Sequence, residues 1–355
     1  HPSPVGPVRR QGGAGAAGTG GRAGAPGGSA GHRLLAQVTG SLRYTADYRT
    51  PSAAALWGGT TTIVDCGSPR DAQETPLAAV LHKKELAVES RCDVALHGAV
   101  VSWDETVPWQ LEQLAAEGVR SVKMYTTNRG STMADGDTIL KVMREMVRLD
   151  GLTYIHAEHD PIISDCTQQH ADDGRIGIEH LHRTRPELAE EISVKETLAM
   201  AEYTQAPVYF VHQSTPGAVD LVTEARARGQ EAYSETCPHY LTLDDTVYGS
   251  AFPEWYACCP PMRSPETVAA LKEPPAGGAI HTVASDHSCY DLHHKRERPD
   301  AAPARSRPGK RASRTSAASP RAAFRSGGAR GGSPRRPTSR RSRMPMRSRS
   351  AFRRR

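Results

Sequence analysis

Four residues stand at the ends of apolar runs and carry side chains that bind metals or move protons: Lys123, His156, His212 and Asp286. Lys123 lies in Val119-Arg-Ser-Val-Lys-Met-Tyr125. His156 closes Leu152-Thr-Tyr-Ile-His156, His212 closes Val208-Tyr-Phe-Val-His212, and Asp286 closes His281-Thr-Val-Ala-Ser-Asp286. Each run is short and apolar, so each reads as a buried strand with a polar residue where it emerges into a loop. In an α/β barrel that edge is the catalytic face. A Lys, two His and an Asp converging there point to a metal site, because imidazole and carboxylate are ordinary donors to a zinc-like ion.

The elements that must position them alternate along the chain. Strand signals run over Gly59-Thr-Thr-Thr-Ile-Val-Asp65 and Asp93–Val101. Pro108 then opens a helix with Leu111, Leu114 and Ala115 on one face, and Gly118 closes it. After the Lys123 strand, Asp137 is placed to cap a helix whose Ile139, Val142, Met143 and Met146 share a stripe. A helix opened by Pro186 carries Leu188, Ile192 and Leu198, and Pro216–Arg228 has Ala218, Leu221, Val222 and Ala225 in helical register, ended by Gly229. Glu231–Thr236 is a further strand. Strand–helix alternation predicts parallel βαβ units. Seven strands are visible from Thr60 onward, so a closed eight-stranded barrel needs one more before them.

Charge divides the chain. The whole carries +6, and residues 301–355 carry 17 Arg, one Lys and no acid, so residues 1–300 carry −12. The tail is Arg, Ser, Ala, Pro and Gly with Phe324 and Phe352 as its aromatics, a composition that cannot bury a core and predicts disorder. The Gly- and Ala-rich start is similar in kind. The expected division is a disordered 1–31, a barrel over 32–299 and a disordered basic 300–355. No apolar run is long enough to cross a membrane, and there is no signal-peptide pattern. The seven Cys lack CxxC pairs, which suits a reducing cytoplasm.

Gly58 to Tyr290 resembles the cyclic amidohydrolases, and most closely the dihydropyrimidinase and hydantoinase branch. The resemblance is carried by Gly58-Gly-Thr-Thr-Thr-Ile-Val-Asp65, Ser121-Val-Lys-Met-Tyr125, His156-Ala-Glu158, Val211-His-Gln-Ser-Thr215, Glu235-Thr-Cys-Pro-His-Tyr240, Cys259-Pro-Pro-Met-Arg263 and Ser285-Asp-His287. It implies a TIM-like (β/α)8 metal-dependent hydrolase barrel, here incomplete, with two divalent metal ions, usually zinc. Lys123 matches a lysine carbamylated by CO2 that bridges both metals. His156 and His212 match the donors to one metal, and Asp286 matches a donor to the other that also serves as general base and acid. A metal-bridging hydroxide then attacks the ring carbonyl and opens a hydantoin or dihydropyrimidine at its C–N bond. Cys259 matches a residue whose main chain holds the ring amide. A homotetramer and a small cyclic amide substrate are implied in the same way.

The departures bear on activity. The family opens with Pro-Gly-Gly followed by His-x-His. In Pro26-Gly-Gly-Ser-Ala-Gly-His32-Arg33-Leu34, His32 falls on the first ligand and Leu34, which cannot bind a metal, on the second. Asn128 stands where many dihydropyrimidinases have a substrate-contacting tyrosine. The abrupt loss of acids and patterned runs at both ends reads as out-of-frame translation of a GC-rich gene, a hypothesis that resequencing of the locus tests.

Each of these residues also has a plain structural reading. A single strand-end His is commonly a satisfied polar residue, and a single Lys after Val a snorkelling edge residue. Four in one family's order outweigh that. His159, His180, His182, His239 and His287 read as structural or solvent-facing. Cys237, Cys258, Cys259 and Cys289 read as inert thiols. Two other classes compete with an impaired cyclic amidase: a non-catalytic assembly protein built on the barrel, and polyanion binding through the tail. The tail lacks interleaved aromatics and any recognition motif, so no specific nucleic-acid partner is expected.

Overall fold

The computed structural model describes residues 48–69, 74–175, 177–273 and 279–287. Helix α1 (Arg49–Trp57) leads into β1 (Thr62–Gly67). There follow α2 (Pro76–Ala87), β2 (Asp93–Ala99), α3 (Val107–Ala116), β3 (Ser121–Tyr125), α4 (Gly136–Arg148), β4 (Leu152–His156) and α5 (Asp160–Asp172). The short α6 (Leu181–Thr184), the long α7 (Glu187–Thr204), β5 (Val208–Phe210), α8 (Pro216–Ala227), β6 (Ala232–Thr236), α9 (Pro238–Thr242), α10 (Pro265–Lys272) and β7 (Thr282–Val283) complete the order. The seven strands pair in chain order and all in parallel. This is the sequential sheet of an α/β barrel wall, and among the described residues β1 and β7 have one neighbour each.

Alternation along the strands sorts core from site. Val122 and Met124 of β3, Ile155 of β4, and Val208 and Phe210 of β5 join Val142, Met143, Met146, Val194, Leu198 and Val222 of the helices in one core. Met143 and Val142 are fully buried, and each such side chain stabilises the fold by roughly 1.5–3 kcal/mol. The intervening residues face the other way. Register sets Lys123 beside Tyr154 and Tyr125 beside His156, then Tyr154 beside Tyr209 and Tyr209 beside Tyr233. A row of rings therefore crosses the sheet below His156: His97 to Tyr154 at 4.1 Å, Tyr154 to Tyr209 at 4.3 Å and Tyr209 to Tyr233 at 6.3 Å. Gly67 lets β1 meet α2, because a Cβ there would lie 2.6 Å from Val80 Cγ2.

Three expectations need correction. Asp135, not Asp137, caps α4: its carboxylate accepts the Thr138 N–H at 2.8 Å, while Asp137 pairs with Lys141 on the surface. Leu188 is exposed, because α7 turns Ala189, Glu190, Ser193, Val194, Thr197 and Leu198 inward. β7 is two exposed residues rather than a buried strand, and Asp286 lies beyond its end. The expected terminal segments 1–31 and 300–355, together with His32 and Leu34, lie outside the described residues. No described helix is long and apolar enough to cross a membrane.

Candidate active site

The C-terminal ends of β3 to β7 bring four of the sequence-predicted residues to one edge. Lys123 is on β3, His156 ends β4, His212 follows β5 and Asp286 follows β7. The rings of His156 and His212 meet edge to face with centroids 4.6 Å apart. Strict alternation would set Val211, not His212, on the face of Tyr209. His212 reaches His156 because its backbone turns left-handed, at φ +42°. Asn128 and Asp286 are left-handed too, at +76° and +45°. Such conformations cost roughly 1–3 kcal/mol in a non-glycine residue and gather at functional sites.

Lys123 is buried, and burial pushes its amine below the ordinary lysine range while Asp286, Cys66 and Glu235 pull it back up. Among the described residues its Nζ takes no hydrogen bond or ion pair; it lies 5.2 Å from the Tyr125 ring centroid. A buried amine with no anion in direct contact is expensive to keep charged, which favours the free base.

The histidines are held as neutral bases. Burial lowers both, His212 well below the ordinary value. His156 Nε2 is 2.7 Å from Glu158 Oε2. Burial raises Glu158, but Arg185 and His156 outweigh it and hold the carboxyl down to about 2. An ionised carboxylate can only accept, so Nε2–H donates and Nδ1 carries the lone pair. His212 Nδ1 is buried without a hydrogen-bond partner among the described residues. Two imidazoles with free nitrogens and an unpaired lysine amine fit a soft or borderline divalent cation once the lysine supplies oxygen donors. Among the described residues no three His, Cys, Asp or Glu side chains converge to hold a metal by themselves, so Lys123 and donors outside the described residues would have to complete the set.

Asp286 is exposed, yet its charge is felt at Lys123, Glu235, Cys237 and His239. It therefore faces the same edge. Asn128 is buried in the loop after β3; its Nδ2 donates to Thr132 Oγ1 at 3.0 Å, and its Oδ1 has no partner among the described residues. That loop is pinned where Asp160 takes both the Arg129 N–H at 3.2 Å and its guanidinium at 2.9 Å. Cys259 is half-buried in the segment before Arg263. A cavity of about 900 Å³ lined by Val64, Val88, Asp93, Arg120 and Tyr154 touches none of the four predicted residues.

Sequence reasoning passed over several polar groups here. Glu235 accepts the His212 N–H at 3.2 Å and the Tyr209 hydroxyl at 2.7 Å, and Tyr209 also touches Thr282, tying β5, β6 and β7 together. Burial raises the Glu235 carboxyl despite those donors. Glu158, Arg185, Glu190 and Arg263 form a buried charged set. Their signal lay in His156-Ala-Glu158 and Cys259-Pro-Pro-Met-Arg263, where a charged residue closes an otherwise apolar or Pro-rich stretch.

No family model matches the chain. It is 29% identical over 267 residues to a D-hydantoinase of Ralstonia pickettii, which covers 75% of this chain and 58% of that protein. It is 31% identical over 269 residues to a D-hydantoinase of Streptomyces coelicolor, covering 74% and 56%. The crystal structure of dihydropyrimidinase from Brevibacillus agri superposes with a TM-score of 0.67 at 30% identity, covering 70% of this chain and 55% of that one. The chain thus spans little more than half the length of the relatives it matches.

Proposed function

The chain is a homologue of the hydantoinases and dihydropyrimidinases, and on that premise we propose that it hydrolyses the C–N bond of a small cyclic amide, a hydantoin or a dihydropyrimidine. The observation that carries the reading is the buried amine of Lys123, without a hydrogen bond or ion pair among the described residues, on the same strand edge as the edge-to-face pair His156 and His212. Carbon dioxide adds to the nitrogen of such an amine with loss of one proton, and the resulting carbamate presents two oxygens that share one negative charge. His156 and His212 would contribute nitrogen, Asp286 a carboxylate, and His32 a further imidazole. When bound, two divalent ions, zinc by donor type, would polarise the ring carbonyl and acidify water.

The protein's own groups do the rest. Asp286 takes a proton from the attacking water and returns it to the ring nitrogen as the C–N bond breaks. Asn128 and the main chain at Cys259 hold the ring amide. Leu34 in place of a second histidine predicts low turnover, since the second ion has few donors. A cytoplasmic location and assembly into a homotetramer follow the family resemblance.

Metal content measured by mass spectrometry on the full chain, prepared with zinc and bicarbonate, tests this together with ring opening of hydantoin and dihydrouracil. Lys123→Ala should lose the bound zinc, with partial return on adding acetate or propionate. A Lys123→Ala protein that keeps wild-type zinc content would remove Lys123 from the site.

A further inference from the structure

Glu158, Arg185, Glu190 and Arg263 are each at most 4% exposed. Two acids and two arginines balance in charge, yet burying four ions is a poor way to gain stability, because desolvation offsets most of the attraction. Their connections run without a gap. Glu158 Oε2 meets both His156 Nε2, at 2.7 Å, and Arg185 Nη1. Arg263 donates from Nη1 to the Arg185 carbonyl at 2.6 Å, from Nη2 to Glu190 Oε2 at 3.1 Å and from Nε to Ser214 Oγ at 2.9 Å. Glu190 accepts the Ser214 N–H at 2.8 Å and the Ser214 hydroxyl. Ser214 follows His212 by two residues, so the chain of contacts begins at one imidazole and ends in the loop that carries the other.

A neutral imidazole has two tautomers, and only one presents a given nitrogen as a donor to a cation. We propose that Glu158 is a positioning residue: it keeps the His156 proton on Nε2, leaving the Nδ1 lone pair free, and the Arg185–Arg263–Glu190 network holds that carboxylate in register with the His212 loop. The inference rests on His156 and His212 acting as divalent-metal donors. A carboxylate behind a ligating histidine typically changes metal affinity by 10–100-fold. The Thr126 hydroxyl adds a second constraint: its oxygen accepts the Glu158 N–H at 2.9 Å, and its one proton lies within reach of the carbonyls of His156 at 3.0 Å and Glu158 at 2.9 Å.

The test uses the full chain in two states. In the zinc-free protein, nitrogen NMR shifts of the His156 ring, assigned by their loss in His156→Gln, report the tautomer directly. The expected result is Nε2–H in the wild type and a tautomer mixture in Glu158→Leu. In a zinc titration, Glu158→Leu should bind roughly 10–100-fold more weakly than wild type, with Glu158→Gln between them because its amide oxygen still accepts. Nδ1–H or a doubly protonated ring in the wild type overturns the proposal, and so does unchanged zinc affinity in Glu158→Leu. A wild type that shows the Nε2–H tautomer but binds no zinc supports the positioning role and refutes the metal reading instead. Should Glu158→Leu fail to fold, the wild-type tautomer alone decides.

Discussion

Replacing Arg263 by leucine should destabilise the protein by about 3–5 kcal/mol at pH 7, the usual result of stripping one partner from a buried ion pair. Three contacts vanish at once, to Glu190, the Arg185 carbonyl and Ser214. The loss should also vary with pH in a defined way. Burial raises the Glu190 carboxyl to about 6 even with Arg263 opposing it. Without the guanidinium, Glu190 escapes by staying protonated. Below pH 6 the wild type is protonated there too, so both native states hold the same proton and the difference between them is flat. Above pH 6 the wild type releases that proton and the variant does not, so the destabilisation grows by about 1.4 kcal/mol per pH unit. Urea unfolding followed by tryptophan fluorescence at pH 5.5, 6.5 and 7.5 measures it. A destabilisation that does not change across that range, or stays below about 1 kcal/mol, would show that Arg263 does not hold Glu190 ionised.

Asp286→Asn should leave stability unchanged, because the side chain is exposed and Asn tolerates a left-handed backbone, while ring opening falls about 100-fold or more, the upper part of the range for losing a proton-transfer group; wild-type rates would exclude Asp286 from proton transfer. Leu34→His should raise bound zinc and turnover together, and a change in neither would drop both His32 and residue 34 from the site. Asp135→Ala should cost about 1 kcal/mol as a lost helix cap and Asp137→Ala distinctly less, read by thermal unfolding; equal losses would contradict the cap assignment.

Local pattern made much of this fold readable before any coordinates. The β4 strand ends at His156 as its apolar run predicts, and Ile139, Val142, Met143 and Met146 are buried as their spacing requires. What failed depended on partners far along the chain. Leu188 is apolar, but α7 packs Val194, Leu198 and Ala201 into the core and meets Arg263 through Glu190 on the same side, which leaves Leu188 outside. α2 carries Leu81 and Leu86 exposed and buries only Ala79 and Val80, so it shows no stripe to find. At the site, residue types marked Lys123, His156, His212 and Asp286. The left-handed turn that swings His212 to His156 has no usable sequence mark, because histidine, though enriched among left-handed residues, adopts that conformation in only a small minority of cases.

Because, among the described residues, each strand in the sheet meets only the strands before and after it in the chain, this part of the sheet is a linear array, and opening in such an array begins at its ends. Amide exchange should then be slowest in β3 to β5 and fastest in β1 and the two-residue β7. His156 sits on an inner strand, flanked on both sides, whereas Asp286 hangs from the last and shortest one. On the proposed reading, the histidines that would hold a cation are thus carried by the part of the sheet expected to open least. Asp286, the group proposed to move a proton, is carried by the part that would open at the smallest free-energy cost.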